Sequence, residues 1–195
     1  MEITVTYRPT RRLSIRITKE GEVRVSAPYG VSKRRISAFV ESHRDWIEKS
    51  RERILASAGC RRAFYDSLPQ DTLSQRKEAA RRLSLITEPL ISHYSQLMGV
   101  TVDSVRYRAN RSKWGSCNVE KKIITFSTYL LLLPSYCIEH VVVHELAHLL
   151  VPNHSREFYS VMDIYFPDWK KARKETRLLS SGQLKGEDKR SAGLL

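Results

Sequence analysis

Apolar and polar residues alternate in three short runs near the start of the chain: Ile3, Val5 and Tyr7, then Leu13, Ile15 and Ile17, then Val23, Val25 and Ala27. A period of two puts every second side chain on one face, so each run is predicted as a strand. Lys19-Glu20-Gly21 supplies a turn between the last two, and a small antiparallel β-meander is expected over residues 1–30. Pro28-Tyr29-Gly30 breaks the alternation. After Ser32 the spacing lengthens, through Ile36, Phe39, Val40, Ile47 and Ile54, which predicts an amphipathic helix with Trp46 packed on its edge. Residues 55–71 lack periodicity, contain Gly59 and Pro69, and are expected to form a connecting loop, with Asp71 available as a cap.

A long helix is predicted next, ending at Met98 before Gly99, with an apolar stripe that includes Leu73, Ala80, Leu83, Leu90, Tyr94 and Leu97. Pro89 should kink or divide it. Val102 to Arg108 and Lys122 to Ser127 read as strands, with the polar stretch from Asn110 to Val119 between them. Pro134 and Ser135 open a helix that should stop near Leu150, because Pro152 disfavours helical geometry in the residue before it. Two shorter helices are predicted at Ser155 to Tyr165 and Asp168 to Leu179. The tail, residues 180–195, has too little apolar content to pack and is expected to be mobile. The pattern as a whole is α+β, and the length suits a single domain over residues 1–179.

Charge and cysteine content narrow the setting. The formal net charge is +13, and the first 62 residues hold 15 Lys and Arg against 7 Asp and Glu. Such a surface attracts polyanions, so nucleic acid or a nucleotide is a possible partner, although solubility alone also accounts for a basic surface. The first residues show no secretory signal, and the greasiest segment is interrupted by charged and polar residues, which excludes a membrane span. Cys60, Cys117 and Cys137 are odd in number and far apart, so a disulfide framework is not expected and a cytoplasmic setting is. Nothing in the sequence sets an oligomeric state.

The chemistry concentrates in His144-Glu145-Leu146-Ala147-His148. Residues four apart on a helix share a face, so His144 and His148 can offer both imidazoles to one zinc ion. Glu145 falls beside them, placed to take a proton from a metal-bound water. With six histidines in the chain, a chance match to this motif is on the order of one per cent. A catalytic zinc needs a third protein ligand. His154 follows His148 at the separation of the extended H-E-x-x-H-x-x-G-x-x-H motif, although Val151 stands where that motif has glycine. Glu157 and Asp163 are the acidic alternatives. His140, on the same helix, reads as a packed residue or one that supports the ligands.

Asn110-Arg111-Ser112-Lys113-Trp114-Gly115-Ser116-Cys117, Ile123 to Phe126, Leu130 to Pro134 and Val141 to Leu149 through Asn153-His154-Ser155-Arg156-Glu157-Phe158 resemble the YgjP-like metallopeptidase family. Gly21 to Pro28 and Asp45-Trp46-Ile47 are similar too, so the resemblance spans roughly residues 10 to 180. It implies a zincin-like fold of small antiparallel sheets and helices, with the metal-binding core at residues 100–179. It also implies His144, His148 and His154 as zinc ligands, Glu145 as base, and a peptide or protein substrate. A more distant similarity to SprT-like proteases, which act on proteins attached to DNA, would give the basic charge a purpose.

The leading expectation is thus a zinc-dependent metallopeptidase. A metal-dependent nucleoside triphosphate pyrophosphohydrolase is the second, through an activity attached to the same family, and a nonhydrolytic nucleic-acid-binding zinc module is the third. The strand from Lys122 to Ser127 is a candidate to pair with an extended substrate. Ser116 or Asn118 is a candidate donor to the oxyanion, unless Trp114 makes this loop a mere plug of the core.

Overall fold

The computed structural model describes residues 3–181, so most of the expected tail, residues 182–195, lies outside the described residues. Ser180 and Ser181 belong instead to the last helix. The described residues divide into two compact units, parted between Arg62 and Ala63.

In the first unit, strands β1 (Ile3–Arg8), β2 (Ser14–Ile17) and β3 (Val23–Pro28) form one sheet in the order β1-β3-β2. The antiparallel meander is therefore corrected: β2 and β3 make the expected antiparallel hairpin, but β1 pairs parallel to β3 on its other side. Burial explains the order. Val23, Val25 and Ala27 are fully enclosed, whereas Val5 and Tyr7 of β1 are exposed, so the most apolar strand takes the centre. Residues 9–13 cross two strand spacings, about 10 Å, a distance an extended chain of that length can reach. Gly21, at φ 83°, makes the hairpin turn in a backbone region that side chains disfavour.

Ile36 and Val40 of α1 (Lys33–Glu41) and Ile47 of α2 (Arg44–Asp66) complete this unit's core. Ser32 caps α1 by accepting from the Arg35 N–H. The helix expected as one is thus two, interrupted at Ser42 and His43, where the His43 ring takes up the Phe39 carbonyl at 2.8 Å. Trp46 is exposed, not packed. The loop expected over residues 55–71 is also corrected, since α2 continues to Asp66. Ala, Arg and Leu in this stretch favour helix, and one glycine costs only about 1 kcal/mol.

In the second unit, Thr72 rather than Asp71 caps α3 (Leu73–Met98), through a reciprocal capping box with Gln75 that is worth about 1 kcal/mol. The buried face is Ala79, Leu83, Thr87, Ile91, Tyr94 and Met98, so the expected stripe is partly out of register and Leu73 and Leu97 are exposed. Pro89 does not divide the helix. Its missing N–H deprives the Leu85 carbonyl of its partner, and Leu85 is on the exposed side where water can supply one. Gly99 ends α3 at φ 66°.

Strands β4 (Ser104–Arg108), β5 (Gly115–Asn118) and β6 (Ile123–Ser127) repeat the arrangement of the first sheet, order β4-β6-β5, with β4 parallel and β5 antiparallel to β6. The expectation of small antiparallel sheets is corrected here too, since β4 runs parallel to β6, and β5 arises inside the polar stretch from Asn110 to Val119. Ile124 and Phe126 of β6 are fully buried, which again puts the most apolar strand in the centre. Since β6 is paired on both sides, the edge strands are β4 and β5, and strand addition to residues 122–127 is ruled out.

A 3-10 turn at Thr128–Leu132 leads to α4 (Ser135–Leu150). This helix is apolar on nearly all sides and runs through the core, flanked by α3, β5, α5 (Arg156–Tyr165) and α6 (Trp169–Ser181). The α+β class holds, with the H-E-x-x-H sequence on a buried helix.

Candidate metal centre

His144 and His148 stand one turn apart on α4, their ring centroids 5.0 Å from each other. The chain leaves the helix at Val151 and returns His154 to the same place, with ring centroids 5.0 Å from His144 and 4.7 Å from His148. The Nε2 atoms of His144 and His154 are 3.0 Å apart. Ligand-capable atoms of all three residues lie within 4.8 Å of one another. Among the described residues no acidic group joins them. The carboxylate of Asp163, one of the acidic alternatives, accepts the Trp169 indole N–H at 2.7 Å instead.

Val151 resolves the departure from the extended motif. It is extended, at φ −134° and ψ 104°, a conformation that needs no glycine. Its N–H donates to the Ala147 carbonyl, and its own carbonyl lies 3.3 Å from His148 Nδ1. A proton on Nδ1 donated there leaves Nε2 of His148 with its lone pair free for a metal.

The floor under the three rings is Phe158, which the sequence reading included only within a matching segment. It is fully buried, with its ring centroid 4.9 Å from His144, 4.7 Å from His148 and 4.8 Å from His154. Ser155, the cap of α5, accepts from the Phe158 N–H and so fixes where this ring enters. Nothing in the helical spacing distinguishes Phe158 from an ordinary core residue. Only the fold reveals what it supports.

Burial governs the electrostatics. The His144 pKa is pushed down to about 3, first by desolvation and then by neighbouring histidines, and that of His148 is lowered by desolvation. Both imidazoles are consequently neutral, the form that binds metals. His140 is packed as expected, beside Phe166, and burial lowers it to about 4; among the described residues neither ring nitrogen has a hydrogen-bond partner. Glu145 is only 5% exposed, and desolvation raises its pKa to about 8 against the opposing pull of Lys113. Cys117 is raised to about 11 by burial and by Glu145, which keeps it a thiol.

Gly115 at the start of β5 lies directly against Glu145. A Cβ there would stand 2.5 Å from Glu145 Oε1 and 2.6 Å from its Cγ. The preceding turn is pinned firmly. Ser127 donates to the Asn110 carbonyl at 2.6 Å, and Tyr65 donates to that of Arg111 at 3.2 Å. The Arg111 guanidinium reaches Asp66 at 3.0 Å and lies over the Tyr65 and Tyr129 rings. Trp114 stacks on Tyr65 and packs against the core. Between this turn, α4 and His154 is a cavity of about 300 Å³, lined by Lys113, Ser116, Cys117, Val119 and Pro152 as well as Gly115, Glu145 and the three histidines.

The family described as YgjP-like, metallopeptidase domain, matches residues 11–77 and 67–178. The chain belongs to the YgjP-like metallopeptidase family. No curated protein matches it. Among solved structures, the metallopeptidase zymogen abylysin of Pyrococcus abyssi is 26% identical, with a TM-score of 0.42, over 47% of this chain and 93% of that one. A YgjP-like metallopeptidase implies a metal ion, usually zinc, and a peptide or protein substrate. The residues present fit such an ion: three imidazoles converge beside a cavity, and the His144 and His154 nitrogens are slightly closer than two donors on one tetrahedral zinc, about 3.3 Å for Zn–N bonds of about 2 Å. Among the described residues, no helix is long and apolar enough to cross a membrane.

Proposed function

We propose that this protein is a zinc-dependent peptidase in which His144, His148 and His154 hold the metal and Glu145 is the general base. The convergence of the three imidazoles on a cavity that Glu145 also lines carries the reading. Held there, zinc would supply Lewis acidity, polarising a peptide carbonyl and acidifying water.

The chain's own residues do the rest. The Glu145 carboxylate receives the proton and delivers it to the leaving amine. Its burial keeps the pKa near neutrality, so that one group can both accept and return the proton, while Lys113 favours the ionised form. The open edge of β5 offers backbone N–H and C=O groups to an extended substrate alongside the cavity. Val151 holds the His148 ring, and Phe158 supports all three rings from below.

Zinc-loaded protein incubated with a peptide mixture should produce new termini, detected by mass spectrometry, at a rate proportional to bound zinc. Pyrophosphate release from nucleoside triphosphates without peptide cleavage would overturn the peptidase reading in favour of nucleotide hydrolysis. Gly115→Ala should lower kcat/KM about 100-fold, because the added methyl displaces the Glu145 carboxylate and a misplacement of about 1 Å costs that much. Zinc content measured on the same sample should be unchanged. Wild-type activity in this variant would show that Glu145 need not occupy its observed position.

A further inference from the structure

A second cavity, of about 350 Å³, lies on the other side of β5 and shares Ser116 and Cys117 with the metal cavity. Among the described residues two cations, Arg106 and Lys121, line it, and no carboxylate does. The strand registers explain how it is built. Arg106 on β4 is opposite Thr125 on β6, which is opposite Ser116 on β5, so one cross-strand row places a guanidinium and two hydroxyls on the sheet face turned away from Ile124 and Phe126. Lys121 follows β5 in a turn fixed by its own N–H donating to Asn118 Oδ1 at 2.8 Å. The ion pairs among the described residues involve neither Arg106 nor Lys121. Two positive charges thus share one concavity, and among the described residues no carboxylate pairs with either.

Resting on the peptidase reading, we infer that this cavity is a specificity subsite that receives an acidic side chain of the substrate. A strand laid along the open edge of β5 alternates its side chains between the two faces of the sheet. Those on one face approach α4 and the metal cavity. Those on the other pass Ser116 and enter the second cavity, where an Asp or Glu carboxylate meets hydroxyl donors and the two cations. The general positive charge of the protein attracts acidic peptides without regard to position, whereas this subsite acts on one position of the substrate.

The test uses a set of hexapeptides in which a single Glu, or Gln as the matched control, is moved through every position. Binding is measured by fluorescence anisotropy to zinc-loaded E145Q protein, and cleavage is measured with the wild type. Glu at one position, or at two positions separated by one residue, should tighten binding about fivefold over Gln. The double variant R106Q/K121Q should lose that preference while binding the Gln peptides as before, and R106E/K121E should prefer Lys at the same position. Equal binding of Glu and Gln peptides overturns the inference, as does an advantage spread evenly over all positions or one that persists in R106Q/K121Q. Position-specific binding without any cleavage would support the subsite and overturn the peptidase reading, so the two fail separately.

Discussion

Replacement of Glu145 by Gln is expected to lower peptide hydrolysis by about 1,000-fold, within the range a positioned general base contributes, while leaving zinc bound at wild-type stoichiometry. The amide has the size of the carboxylate and can fill the same space against Gly115, but it accepts no proton. The three imidazoles do not depend on it. Kinetics on a defined peptide, with metal analysis of the same sample, checks both halves. Full activity in E145Q would eliminate Glu145 as the base, and loss of zinc would make the activity result a metal effect.

Stability of the metal-free protein gives this variant a second signature. Glu145 has a folded-state pKa raised by burial to about 8, above its unfolded value, so folding favours the protonated acid. Its ionisation is therefore disfavoured in the fold, and wild-type stability should decline as pH rises from about 4.5 towards 8. E145Q lacks that titration. The difference in Tm between variant and wild type should thus grow in favour of E145Q across this range, and a constant difference would contradict the buried, protonated carboxyl.

The second large effect is expected at His154. His154→Ala should weaken zinc binding by more than about 100-fold, since loss of even an outer partner of a metal ligand costs 10- to 100-fold, and activity should fall with it. Competition against a chromophoric chelator measures the affinity. His154 is exposed and lies outside the helices, so the fold should hardly change, with stability altered by no more than about 0.5 kcal/mol. Glu157→Gln and Asp163→Asn should keep wild-type affinity. Retained zinc in His154→Ala with loss in Glu157→Gln would transfer the third position to the acid. The arrangement of the rings argues the other way, because His154 stands 4.8 Å from Phe158, the same floor that supports His144 and His148.

What could be read without the fold is what depends on neighbours in the chain. The four-residue step from His144 to His148 works only as a helix face. Ser32, Ser155 and Gly99 mark helix ends through bonds or backbone angles that span a few residues. The α+β class follows from periods of two and of three to four, and the family resemblance from contiguous segments.

Tertiary structure decided the rest, for a common reason: the deciding interactions join residues distant in sequence. Which strand sits in the centre of a sheet depends on burial against helices, so neither the parallel pairs β1–β3 and β4–β6 nor the edge position of β5 was visible in alternation alone. The continuation of α2 to Asp66 brings in Tyr65, whose stacking partner Trp114 is far along the chain. Gly115 reads as a turn glycine until Glu145 is placed against it. The pair His144 and His148 was determined by the sequence, because backbone geometry sets their separation. Their joining by His154, the Phe158 floor and the burial that shifts Glu145 were decided by packing, which has no local signature.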